Sequence, residues 1–344
     1  MEQITYLFFK IIKKSVDFKN YFFIFTPIAI LAQSSMLLAA EESIATIFKK
    51  TYNGISIFYT DPHPAVLASI LKGLTNLEIS YTINPDNAAQ LKDIAFCLQD
   101  VRFLKQAIKF KENSLIKKII VGPNMFGRAS EQNHILTNNV IDIYLTPSQW
   151  NKIGHIEDEP KVSRIIHVWP AGVDQEYWKP ENPHKTNKVL IYWKTESEEF
   201  CKEVEKIIKK NGWQPIILKY GDYSKEKYKK ILNRVTYAVF ISVSESQGIA
   251  LAECWAMNVP TLVWNPEEPI FYLGKCFSPV SSCPYLTKET GISWKTLPEL
   301  NELVQMIPGN LDNFAPRKWV INHMTDTISI EMLLNIINED NKDM

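Results

Sequence analysis

From residue 51 onward, short apolar runs alternate with stretches whose apolar residues recur every three or four positions. Ile55–Thr60, Leu77–Thr82, Ile94–Leu98, Lys118–Val121 and Ile141–Thr146 read as strands. Between them, Pro64 opens a helix running to about Gly73, and Val101, Leu104, Ala107 and Ile108 mark one face of another. A looser acidic stretch, Gly154–Lys161, follows, and then the alternation restarts. Lys188–Trp193, Pro215–Lys219, Tyr237–Val243 and Pro260–Trp264 read as strands. The intervening helices are marked by Phe200, Val204, Ile207 and Ile208, by Tyr228, Ile231, Leu232 and Val235, and by Gly248–Met257. Apolar strands alternating with amphipathic helices imply parallel β-α units whose strands are buried on both faces. The pattern therefore predicts an α/β protein of two doubly wound domains facing a cleft, residues 51–165 and 166–310.

The first 50 residues break this pattern. No charge occurs from Asn20 to Ala40; Lys10, Lys13, Lys14 and Lys19 precede this stretch and Glu41-Glu42 follow it. Ile4, Leu7, Phe8, Ile11 and Ile12 recur at helical spacing beside the lysines, as in a helix lying on anionic lipid. The segment is expected to form an apolar helical extension that associates with a membrane through residues 1–40 and leaves the domains in the cytoplasm. Two alternatives stand: a signal peptide cleaved near Ala32-Gln33-Ser34, giving an exported protein, and a buried helix capping the first domain.

Charge and composition narrow the chemistry. Lys and Arg total 38 against 38 Asp and Glu, so the chain lacks the basic excess of a protein that coats nucleic-acid phosphates. The five cysteines contain no C-x-x-C and the six histidines no H-x-x-x-H, so neither a disulfide framework nor a metal site is expected. There is no G-x-G-x-x-G, no P-loop and no G-x-S-x-G elbow.

The most informative stretch runs from Ile241 to Pro260: a strand end, the carboxylate Glu245, then Gly248 opening a helix that contains Glu253. A glycine there lets an anion approach the backbone N–H groups of the helix N-terminus, where the dipole favours phosphate. Glu253, about one and a half turns further on, is placed to reach sugar hydroxyls of the same ligand.

This stretch resembles the E-x7-E signature of the glycosyltransferase group 1 family. Glu245 and Glu253 match its two glutamates, Gly248 its glycine, and Ala256 and Pro260 its downstream Ala and Pro, with Asn258 where that family usually has Gly. Trp169-Pro170-Ala171-Gly172-Val173-Asp174, continuing to Pro180, resembles the same family's interdomain segment. The resemblance implies the GT-B fold of two Rossmann-like domains, with a carboxyl-terminal helix within 311–344 crossing back to the first. It also implies retaining transfer of a sugar from a nucleotide-diphosphate sugar, as co-substrate, to a hydroxyl of a glycan, lipid or protein acceptor, with no metal or other cofactor. Glu245 would contact the donor sugar and steady positive charge near its anomeric carbon, and Glu253 would hold ribose hydroxyls. Lys194 stands where that family places a cation on the diphosphate. The G-R and E-K-G that usually accompany it are absent, and Glu196, Glu198 and Glu199 follow instead. A sugar-nucleotide-binding scaffold and a GT-B-type epimerase therefore remain alternatives. On the acceptor side the candidates are His63, Asn124 and His134, in loops expected to follow strands of the first domain.

Overall fold

The computed structural model describes residues 42–60, 64–123, 125–181, 186–272 and 274–341. The expected extension before residue 42, His63 and Asn124 lie outside them. Among the described residues no helix is long and apolar enough to cross a membrane.

The apolar runs form two parallel sheets. In the first, β1 (Ile55–Phe58), β2 (Tyr81–Ile83), β3 (Ile94–Cys97), β4 (Lys118–Val121), β5 (Ile143–Thr146) and β6 (Ile166–Val168) are ordered β2-β1-β3-β4-β5-β6. The central strands β1, β3, β4 and β5 are wholly buried, which is why they read as unbroken apolar runs. Helices α1 (Ile44–Thr51), α2 (Pro64–Asn76), α3 (Val101–Glu112) and α4 (Gln149–Asp158) belong to this domain. Asp100 caps α3 by accepting the Arg102 N–H.

Two expectations shift here. The strand expected from Leu77 begins only at Tyr81, because α2 runs to Asn76 and Glu78 turns the chain at a φ of +54°. The stretch expected to be loose, Gly154–Lys161, is instead the second half of α4 followed by a 3-10 turn, Pro160–Arg164. Within it Asp158 is buried against Arg128 and Lys275, and Pro160 ends the helix.

The second sheet contains β7 (Lys188–Trp193), β8 (Gln214–Lys219), β9 (Tyr237–Ile241), β10 (Thr261–Trp264) and, beyond a hairpin, β13 (Gly291–Trp294), ordered β13-β10-β9-β7-β8. The hairpin, β11 (Ile270–Tyr272) and β12 (Lys275–Phe277), is antiparallel. The helices are α5 (Glu198–Lys210), α6 (Lys225–Leu232), α7 (Ile249–Ala256) and α8 (Leu297–Met306). Ser197, Ser224 and Thr296 cap α5, α6 and α8 through their hydroxyls.

The carboxyl-terminal segment divides between the domains. In α9 (Pro316–His323), Trp319 packs edge-on against Trp255 of α7, and Val320 lies in the second core. Helix α10 (Asp326–Asp340) crosses back, placing Ile330, Leu333, Leu334 and Ile337 among Phe48, Ile70 and Leu74 of the first core. Each such buried side chain contributes on the order of 1.5–3 kcal/mol. The two chain crossings are tied together: Val173 N–H donates to Met324 O at 2.9 Å, and the Trp169 indole to Ser329 O at 2.7 Å.

Candidate functional site

Parallel strands direct their carboxyl ends toward one edge of a sheet, and ligands collect outside that edge. In the second domain the loop after β9 is held there from several sides. Val243 N–H donates to Thr195 Oγ1 at 3.0 Å. The Gln247 amide pairs both ways with the backbone of Ala171 in the interdomain segment, at 2.6 and 3.0 Å. Gly248 then takes a φ of +81°, a left-handed conformation that a side chain would strain, and α7 begins at the next residue.

Three of the predicted site residues meet at this point. Lys194, just past β7, places Nζ 2.9 and 2.8 Å from the two carboxylate oxygens of Glu245 and 4.8 Å from the centre of the Tyr220 ring. Lys194, Glu245 and Gly248 line one cavity of about 150 Å³, which Val66 of α2 closes from the first domain. A cation, a carboxylate and the N-terminus of a helix converge there, a combination suited to an anionic ligand attached to a polar group.

The fourth residue faces the adjoining space. Glu253 lines a cavity of about 200 Å³ with Tyr177, Trp178, Lys225, Ser69 and Asp326; Ile249 borders both cavities. Burial pushes the Glu253 carboxyl up to about 8, although the Lys225 charge and a hydrogen bond with Trp178 act in the other direction. Asp326, at the start of α10, is raised by burial to about 6 despite a hydrogen bond with Ser69, and its Oδ1 has no hydrogen-bond partner among the described residues. Trp178 of this lining is in turn held by Arg317 of α9. Its guanidinium donates to the carbonyls of Ala256 at 2.7 Å, Trp178 at 2.8 Å and Gln175 at 3.1 Å.

The remaining candidates lie elsewhere. His134 is exposed on the first domain, its Nδ1 2.6 Å from a Glu159 carboxylate oxygen, and borders neither cavity. Among the described residues no three His, Cys, Asp or Glu side chains gather as a metal site would need. Sequence reasoning missed Trp150 of α4, whose indole N–H donates to the Glu245 carbonyl at 3.0 Å, and also Lys225, Asp326 and Arg317. A lysine directly after the capping Ser224 was the one local signal among them.

Two Rossmann-like domains, each with a parallel sheet, and a terminal helix returning to the first define the GT-B fold. Solved structures share it. The lipopolysaccharide outer core galactosyltransferase WaaB, in its apo form, matches with a TM-score of 0.55 at 10% identity, over 84% of this chain and 99% of that one. HepE of Anabaena, in complex with UDP and glucose, matches with a TM-score of 0.51 at 11% identity, over 83% and 99%. The sucrose-phosphate synthase of Thermosynechococcus elongatus matches with a TM-score of 0.51 at 11% identity, over 81% and 97%. At these identities the likeness concerns the fold. No family model matches the chain, and no curated protein does.

Proposed function

We propose that this chain is a retaining glycosyltransferase that moves a sugar from a nucleotide-diphosphate sugar to an acceptor hydroxyl without a metal ion. The observation that carries the reading is the convergence of Lys194, Glu245 and the N-terminus of α7 on one interdomain cavity. In this proposal the diphosphate sits on the first turn of α7, where backbone N–H groups and the dipole stabilise it, and Lys194 shares its charge between the phosphate and Glu245. Glu245 faces the donor sugar and stabilises the positive charge that develops as the glycosidic bond to phosphate breaks. Glu253, reached past Ile249, accepts from ribose hydroxyls in the adjoining cavity. That HepE, of the same fold, was solved with UDP and glucose supports a nucleotide sugar as donor.

The acceptor hydroxyl would attack on the face from which the diphosphate leaves, and its proton would pass to the departing phosphate oxygen. Incubating the protein with a panel of nucleotide sugars and measuring released nucleoside diphosphate tests the assignment. Release from at least one donor is expected, and its anomeric product reports retention. A second reading, a binding protein of the same fold, is favoured by one observation: Lys194 is the one cation bordering the Glu245 cavity among the described residues. Tight nucleotide binding with no turnover of any donor would select it.

A further inference from the structure

The segment inserted between β10 and β13 reaches across to the first domain and grips α4 along its length. Just before α4 begins, the Tyr285 hydroxyl donates to the Pro147 carbonyl at 2.5 Å. At its middle the Phe277 ring lies against Gly154, where a Cβ would overlap it. At its end Lys275 pairs with Asp158, whose side chain is 3% exposed. Asp158 also accepts the Ser130 N–H at 2.8 Å. Beside the helix, Arg128 donates to the Tyr272 carbonyl and stands 5.6 Å over the Phe277 ring, while the Tyr272 ring fills the space a side chain at Gly127 would need. Two aromatic rings seated over glycines and an ion pair on the buried Asp158 carboxylate fix a single register for this contact.

The first turn of the gripped helix holds Glu245. Trp150 donates its indole N–H to the Glu245 carbonyl at 3.0 Å. The Glu245 N–H donates to the carbonyl of Ser281, which belongs to the same insertion. The peptide groups on both sides of Glu245 are thus held, one from the first domain and the other by the segment that binds the first domain.

We propose that Trp150 is a positioning residue for Glu245, and that the β11–β12 hairpin is the clasp that keeps α4, and with it Trp150, in register with the Glu245 loop. The proposal rests on the transferase reading, in which the direction of the Glu245 carboxylate matters. Opening the cleft would draw α4 away and withdraw the indole N–H, so the backbone that sets the direction of the Glu245 side chain is held from both domains only while the clasp is shut. A small misplacement of a reacting group costs up to about 100-fold in rate.

The test uses Trp150→Phe, which keeps an aromatic ring and removes the donor, and Lys275→Ala, which weakens the clasp at a side chain 54% exposed. Both are expected to lower kcat roughly tenfold or more while leaving nucleoside-diphosphate affinity within about twofold. Both are also expected to speed hydrogen exchange of the amides at 243–248 roughly tenfold. Wild-type kcat and wild-type exchange in a folded variant would overturn the proposal, because a purely structural Trp150 would alter thermal stability alone. If Trp150→Phe fails to fold, Lys275→Ala decides by the same two readouts. If the wild-type protein turns over no nucleotide sugar, the transferase reading fails by itself. Exchange at 243–248 then still decides the coupling: faster exchange in the variants supports it, and unchanged exchange overturns it.

Discussion

The Lys194 ammonium lies 2.9 and 2.8 Å from the two carboxylate oxygens of Glu245, joining the ends of two neighbouring strands across 51 residues of sequence. Both side chains are partly covered, at 24% and 15% exposure, so neither charge is cheaply left alone. A diphosphate entering the cavity therefore meets a cation already in use, and the carboxylate beside it repels the anion. In the proposed mechanism Lys194 is therefore shared between Glu245 and the donor.

Lys194→Met is accordingly expected to weaken nucleoside-diphosphate binding by about 1.5–3 kcal/mol, the scale of a hydrogen bond to a charged group. The variant also leaves Glu245 without its partner beside the phosphate site, which adds repulsion. Calorimetric titration checks the value, and raising the salt concentration should shrink the difference between the two proteins.

With Glu253 on the ribose as proposed, nucleotide binding is expected to depend on pH. Its carboxyl keeps a proton to about pH 8 in the unliganded protein, because burial disfavours the charge. Ribose hydroxyls donate best to the ionised form, so binding below pH 8 is expected to release a proton. Affinity then rises as pH increases to about 8 and levels off above it. Titrations in two buffers of different ionisation enthalpy measure the released proton. The same raised pKa makes the unliganded fold lose stability from the ordinary carboxylate range up to about pH 8, since the unfolded chain gives up that proton first. Glu253→Gln should abolish both dependences.

Asp158 works in the opposite direction. Burial alone would raise its carboxyl, but hydrogen bonds from Lys275 and Ser130 and the Lys275 charge outweigh it and hold the group at about 2. The stabilisation is present above the ordinary aspartate value and is lost as pH falls through 2. Asp158→Asn should cost on the order of 1–3 kcal/mol at neutral pH, with the gap to wild type closing between pH 4 and 2. Denaturant melts across that range measure it.

Much of the fold was legible because buried parallel strands have to be apolar throughout. Lys188–Trp193 and Lys118–Val121 emerge with the boundaries expected of them. The failures have local physical causes. Glu78 enters the left-handed region and delays β2, and the acidic end of α4 read as a looser stretch because its partners Arg128 and Lys275 are distant in sequence. At the site, Glu245, Gly248 and Glu253 could be read together because one strand-loop-helix unit contains all three. Even so, the helix turns Glu253 toward a neighbouring cavity, which spacing alone did not reveal. Trp150, Asp326 and Arg317 come from other segments, and nothing in their neighbourhoods marks them. Asn258, standing where a glycine is usual in the resembling signature, adopts a φ of +56°, so the backbone there does what a glycine would do.

Arg317 is expected to be the costliest of these silent positions. It satisfies three carbonyls, including Ala256 O at the carboxyl end of α7, where a cation also suits the helix dipole. Arg317→Met should destabilise the protein by roughly 2–4 kcal/mol, since it strands partly buried acceptors. Thermal melts are expected to shift by about 2–4 °C per kcal/mol.

The most direct measurement compares wild type with Glu245→Gln for release of nucleoside diphosphate from a nucleotide sugar, alongside donor affinity for each. An uncharged amide of the same shape removes the stabilisation of a cationic sugar while keeping the packing. Turnover is therefore expected to fall on the order of 100-fold, with donor affinity unchanged or raised, because the amide neither repels the diphosphate nor holds the Lys194 charge. A folded Glu245→Gln protein that releases nucleoside diphosphate as fast as wild type would contradict the role assigned to Glu245 and, with it, the proposed mechanism.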